Sequence, residues 1–134
     1  MNDRPTGIEL LRAVERFLEQ EVVPRLDGPR RYHARVAANV VAIVAREIET
    51  EEAQLQGEWE RLGALLGLLE ERPALRGALR DAVRERTQEL ATRIRRGDAD
   101  RGVWREDLIA HLRRTVADKL AVSQPPRVAR EESR

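Results

Sequence analysis

Glu21 and His33 are the two residues whose types and predicted positions could support acid–base chemistry. Glu21 falls in the apolar stripe of the first predicted helix, one turn before Pro24, and His33 falls near the apolar centre of the second. An antiparallel hairpin would place both side chains beside the connecting turn RLDGP (25–29). Because a desolvated carboxylate beside a base can transfer protons, the pair is the candidate catalytic site. The preferred interpretation is nevertheless that the two side chains form a structural hydrogen bond, with His33 an anchor at one end of the bundle.

Four further polar residues interrupt predicted apolar helix faces, and we interpret them as structural anchors: Asn39, Glu47, Arg86 and Lys119. Glu47 lies near the apolar centre at the end of the second predicted helix, where an unpaired charge would be costly. We therefore expect it to pair with Lys119 or Arg86. Asn39 lies at the edge of the same face, where its amide could bond a backbone carbonyl across a helix crossing or contact a ligand.

No motif of a known catalytic or metal site accompanies these residues. The chain has no cysteine, which excludes disulfides and thiolate chemistry, and it has none of the glycine-rich phosphate-binding motifs. Asp107 and His111 share one side of a predicted helix, but a di-iron bundle needs Glu three residues before His, where Leu108 stands. We interpret Asp107 and His111 as a solvent-side pair and predict neither a metal nor a cofactor.

The charge pattern argues against a nucleic-acid partner. A basic ridge follows one predicted helix at Arg76, Arg80 and Arg84. An acidic ridge lies beside it at Asp81, Glu85 and Glu89. The net charge is only +1, and aromatic residues make up 3% of the chain, so the sequence offers neither a strongly basic surface nor a set of stacking platforms.

Hydrophobic periodicity predicts an all-α protein, a single-domain antiparallel bundle of about five helices over residues 1–122. The first helix begins with a capping box, Thr6 and Glu9, and ends before Pro24. The other helices are predicted at 30–51, 52–69, 74–96 and 103–122. The last of these is expected to bury Leu108, Ile109, Leu112, Val116 and Leu120. Residues 123–134 are predicted to form a flexible tail, because two prolines and a polar run leave it little to bury.

The sequence shows no feature of export or membrane insertion. Its start lacks a basic segment followed by an apolar one, as a secretory signal requires. The longest uncharged apolar run spans 36–45, whereas a membrane helix needs about twenty residues. We therefore expect a cytoplasmic protein with no membrane partner.

Three segments in order, RPTGIELL, RYHARVAANVVAIVAREIE and LIAHLRRTVADKLAV, resemble a small all-helical bacterial family of unknown function. The likeness extends to about Val122. The family's usual Asn-Pro after the last helix is replaced here by SQPP (123–126). Genes of that family often lie beside genes for acyl-CoA dehydrogenases and for phosphotransferases that resemble aminoglycoside kinases. The resemblance implies a context in acyl-CoA metabolism or a kinase-linked pathway, and it implies no catalytic residue or cofactor.

Two functions remain open on the sequence. The first is a non-catalytic accessory or interaction module, whose partner would be an acyl-CoA dehydrogenase or a phosphotransferase. A homodimer is also expected, because charge-rich helices can associate through one exposed apolar strip. The second is a small-molecule-binding or acid–base catalytic bundle with a cleft near Glu21 and His33. A pocket holding both residues would favour the second, and a filled core with an exposed apolar patch would favour the first.

Overall fold

The computed structural model describes residues 3–125, and all the regular secondary structure in them is helical. The four α-helices are α1 (Gly7–Phe17), α2 (Gly28–Leu66), α3 (Arg76–Arg95) and α4 (Val103–Ser123). The all-α prediction is therefore confirmed. The predicted number of about five helices is wrong, because two of the predicted helices form one.

The start of α1 has the predicted capping box. The backbone N–H of Glu9 donates to the Thr6 hydroxyl at 3.2 Å, and the backbone N–H of Thr6 donates to the Glu9 carboxylate at 2.7 Å. Two of the N–H groups that a helix start leaves without intrahelical partners are satisfied in this way.

The end of the first helical segment differs from a regular α-helix. After α1 the chain forms a π-helical turn, Leu18–Val22, and then a short 3₁₀ turn, Val23–Arg25, that contains Pro24. A π turn contains more residues than an α turn, so it rotates the following side chains away from the positions that α-helical spacing assigns them.

Residues 28–66 form one continuous helix of 39 residues, whereas the sequence predicts two helices that meet at 51 and 52. The segment around this position, ETEEAQLQ (49–56), is polar but consists largely of good helix formers and contains neither proline nor glycine. High charge alone therefore does not end the helix. It ends instead at Leu66, where Gly67 adopts φ +69° and the Leu68 N–H bonds the Gly63 carbonyl at 3.0 Å.

The chain divides into two compact units, Met1–Glu51 and Glu52–Arg134. In the first unit, Arg12 of α1 donates to Glu49 of α2 at 3.0 Å and to Glu15 at 2.8 Å. The α2 residues buried in this unit are alanines, namely Ala38, Ala42 and Ala45. The larger residues Val36, Val40 and Val44 are exposed, so the predicted apolar centre of this segment is not its buried face.

The second unit contains the larger apolar core. Its buried members are Trp59, Leu62, Leu65 and Leu66 from α2, Leu79, Val83 and Leu90 from α3, and Leu108 from α4. Leu62 is completely inaccessible to solvent. Helices α2, α3 and α4 thus contribute to one core, which fixes the positions of the polar side chains on their edges.

No helix within residues 3–125 combines the length and apolar character that a membrane span requires. Helix α4 ends at Ser123, one residue beyond its predicted end. Most of the predicted flexible tail, from 126 onward, lies outside the described residues.

Candidate functional site

Glu21 and His33 do not come together in the structure. Both residues are exposed. The Glu21 carboxylate accepts a hydrogen bond from Arg25 at 2.6 Å, and the His33 ring lies 5.8 Å from the ring of Tyr32. Glu21 belongs to the π turn, so the regular helical spacing that placed it in the apolar stripe does not apply there. Within residues 3–125, no hydrogen bond or ion pair joins the two predicted members of the acid–base pair.

Three of the four predicted anchors are also exposed: Asn39, Glu47 and Lys119. The expectation that Glu47 enters an apolar layer is wrong, because the buried face of this part of α2 is the alanine face. The partners predicted for Glu47, Arg86 and Lys119, belong to the other compact unit.

Arg86 alone among these residues is buried, with 5% of its surface exposed. Its Nη1 donates to the Trp59 carbonyl at 3.0 Å, and its guanidinium carbon lies 3.1 Å from the centroid of the Trp59 ring. Its Nη2 lies 3.5 Å from the Glu70 carboxylate. Hydrogen bonding and cation–π stacking thus compensate a charge that would otherwise be costly to bury.

The sequence interpretation missed a second polar cluster, which is built around His111. His111 is 5% exposed, so the expectation that it is a solvent-side residue is wrong. Arg61 Nε donates to His111 Nδ1 at 3.4 Å, and Arg61 Nη2 donates to Thr115 at 3.5 Å and lies 3.6 Å from Asp118. The Gln54 amide also donates to the Asp118 carbonyl at 3.1 Å. The cluster therefore connects α2 to α4 within the second unit.

The spacing of these α4 residues was the signal that could have revealed the cluster. His111, Thr115 and Asp118 are separated by four and three residues, so they lie on one face of a helix. That face is polar, so its residues do not belong to any of the apolar stripes that predict buried positions. Arg61, on a helix distant in the sequence, could be assigned to it only from the tertiary structure.

The surroundings of His111 favour its neutral imidazole form. Burial lowers the pKa of His111 below its ordinary value of 6.5, and the positive charge of Arg61 lowers it further. Because Nδ1 accepts the hydrogen bond from Arg61, the ring proton resides on Nε2. Through its contact with Arg61, His111 connects α4 to α2.

A groove of about 420 Å³ runs beside this cluster. It is lined by Arg61, Ala64, Leu65, Trp104, Asp107, Ala110 and His111. The Trp104 indole N–H is already bonded to the Leu65 carbonyl at 2.9 Å. The size falls within the range of small-molecule sites, but none of the lining residues is a serine or cysteine nucleophile. Within residues 3–125, no three metal-ligating side chains converge on a common point either.

The opposite side of α4 carries an apolar stripe that remains exposed. Ile109, Leu112, Val116 and Leu120 expose 38, 43, 54 and 47% of their surfaces. At 3.6 residues per turn they fall within a sector of roughly 80°. Among the residues expected to be buried on this helix, only Leu108 joins the core. We refer to these four residues as the α4 stripe.

The geometry defines a small all-α protein with an apolar core in its second unit, a polar cluster between helices and an exposed apolar helix face. Residues 24–126 match the family described as "Domain of unknown function (DUF6285)", and the chain belongs to that family. No curated protein and no solved structure matches it. The resemblance to a family of unknown function is therefore confirmed, whereas the gene context stays a prediction.

Proposed function

We propose that this chain is a non-catalytic accessory protein that binds another protein through the α4 stripe. The observation that carries the proposal is the exposure of four large apolar side chains in one sector of a helix whose other side is packed. Scattered apolar residues are normal on protein surfaces, but a contiguous apolar strip is typical of an interaction site. The exposure of both Glu21 and His33 supports the same choice.

The charges beside the stripe indicate the chemistry of the partner. Helical spacing places Arg113 on one border of the stripe and Lys119 on the other, and both are exposed. Among residues 3–125, neither side chain has an ion-pair partner. We therefore expect the partner to present an apolar groove edged by carboxylates. Two copies of this chain meeting through the same stripe would bring like charges together, so a different protein fits this surface better.

The gene context implied by the family resemblance supplies the first candidates. An acyl-CoA dehydrogenase or a phosphotransferase encoded beside the gene is the proposed partner. The accessory role in acyl-CoA metabolism or in a kinase-linked pathway rests on this context, and the stripe supports only the interaction itself.

Titration calorimetry with each purified candidate enzyme tests the proposal. We expect the double variant Leu112→Glu with Val116→Glu to bind at least about tenfold more weakly. This factor corresponds to a loss of about 1.4 kcal/mol in binding free energy. The matched control is Leu10→Glu with Val14→Glu, which places the same charges at the same spacing on exposed apolar positions of α1. Circular dichroism checks that both variants keep the helical fold.

Selective loss of binding in the α4 variant supports the proposal, and so does weakening of the wild-type complex by salt, because the bordering cations act through charge. Equal losses in the two variants would assign the effect to general surface charge and reject the α4 stripe as the interface. Absence of heat with both enzymes would reject these two partners.

Small-molecule binding is the second candidate function. The predicted pair does not support it, since Glu21 and His33 are both exposed and the Glu21 carboxylate bonds Arg25 instead. The observation that favours this function is the presence of grooves in the second unit, beside His111 and beside Arg86.

A further inference from the structure

Arg86 has two nitrogen atoms that are buried without a hydrogen-bond partner, Nε and Nη2. Its third nitrogen, Nη1, is bonded to the Trp59 carbonyl. Buried polar atoms in folded proteins are nearly always hydrogen-bonded, and leaving a charged donor without an acceptor is especially costly. The two unpartnered atoms therefore call for a physical explanation.

Nε and Nη2 lie on the same edge of the planar guanidinium group. Two parallel N–H bonds on one edge match the two oxygens of a carboxylate, which is why arginine is preferred for bidentate recognition of such groups. Trp59 contacts both the third nitrogen and the face of the guanidinium group. The guanidinium carbon lies 3.1 Å from the centroid of the Trp59 ring. Arg86 is thus fixed in position while its recognition edge has no hydrogen bond.

Glu70 lies beside this edge but does not satisfy it. Its Oε2 is 3.5 Å from Nη2, which is an ion-pair distance but too long for a good hydrogen bond between charged groups. The Glu70 side chain is 69% exposed, so its attraction to Arg86 is weakened by solvent. Another carboxylate could therefore replace Glu70 at a small cost in free energy.

A groove of about 710 Å³ adjoins Arg86, with Ala64, Leu68 and Leu69 among its walls. Gly63 also lines it, and a Cβ atom at this position would lie 2.8 Å from Arg86 Nη1. The acidic residues Glu60 and Glu70 also line this groove. A doubly charged phosphate would be repelled by them more strongly than a monocarboxylate, and the alanine and leucine walls suit an aliphatic chain.

We infer that the Nε–Nη2 edge of Arg86 binds the carboxylate of a small aliphatic acid, which displaces Glu70 and places its chain in the adjoining groove. This site is separate from the α4 stripe, so either proposal can fail without the other.

Nuclear magnetic resonance titration of the full ¹⁵N-labelled chain tests this inference, with sodium hexanoate, hexan-1-ol and inorganic phosphate as probes at matched ionic strength. The readouts are the side-chain Nε–H resonance of Arg86, assigned by its absence in Arg86→Lys, and the backbone amides of Gly63 and Gly67. We expect saturable shifts with hexanoate, no shift of the Nε–H resonance with hexan-1-ol, and weaker binding of phosphate. A response to hexan-1-ol equal to that of hexanoate, tighter binding of phosphate, or no saturable response to hexanoate would overturn the inference.

A matched pair of variants tests the displacement of Glu70. Glu70→Gln removes the competing charge and should tighten hexanoate binding by about two- to fivefold, the range that corresponds to an exposed ion pair. Glu71→Gln makes the same change in net charge at the neighbouring exposed residue and should leave the affinity unchanged. Equal gains in the two variants, or no gain in Glu70→Gln, would contradict the displacement.

Discussion

At the scale of single residues, burial and bonding partners decide what each polar group does. Arg86 could be recognised from the sequence because it interrupts a regular helical stripe, and the structure buries it. Glu21 could not be placed correctly, because it belongs to a π turn in which helical spacing changes. His111 could not be recognised either, since its partner Arg61 lies 50 residues away in the sequence.

His111 should make stability depend on pH. Because its folded-state pKa is below 6.5, the unfolded chain binds the proton more readily than the folded chain once the pH falls below this value. We expect the contribution of His111 to the free energy of unfolding to be constant above pH 6.5. Below pH 6.5 this contribution should decrease as the pH falls. The slope from one such residue cannot exceed about 1.4 kcal/mol per pH unit. Urea unfolding between about pH 5 and 8 measures it.

Two glutamine variants isolate the contribution of His111. His111→Gln keeps an oxygen that can accept the bond from Arg61 but does not titrate, so the decrease attributable to His111 should disappear. His33→Gln changes an exposed histidine and should retain that decrease. If His111→Gln shows the same pH dependence as the wild type, the assignment is wrong.

At the scale of helices, the sequence predicted the start of α1 correctly, but it predicted a false helix start at 52 and the wrong buried faces on α2 and α4. Start signals such as the Thr6 capping box are local, and the observed bonds reproduce them. The buried face of a helix depends on what packs against it. Alanines rather than valines are buried on the first part of α2, and α4 leaves most of its large apolar residues exposed.

The capping box gives a prediction at this scale. Thr6→Ala removes the side-chain acceptor of the Glu9 N–H and should lower the free energy of unfolding by about 1 kcal/mol. Thr92→Ala is the control, because its exposed hydroxyl only bonds the Gln88 carbonyl inside α3, and alanine favours the helix. Urea unfolding followed by circular dichroism compares them. An equal change in the two variants would argue against a stabilising cap.

At the scale of the whole molecule, the expected homodimer stays a prediction, and the exposed apolar residues of the first unit offer a surface for it. Val36, Val40 and Val44 lie one helical turn apart on α2 and are exposed. We expect light scattering to give a dimer mass for the wild type at high micromolar concentration. Val36→Glu with Val40→Glu should give a monomer, whereas Leu112→Glu with Val116→Glu should remain a dimer. A monomer mass for the wild type would contradict the prediction.

The close approach between Gly63 and Arg86 has a consequence for how the family can vary. A methyl group at position 63 would lie 2.8 Å from the guanidinium, so a larger residue there requires Arg86 to move or to be replaced. A relative with a larger residue at 63 should carry a shorter side chain at 86, and it should also lack the stacked arginine on the residue equivalent to Trp59. Replacement of Gly63 is therefore expected only in relatives that have also replaced Arg86.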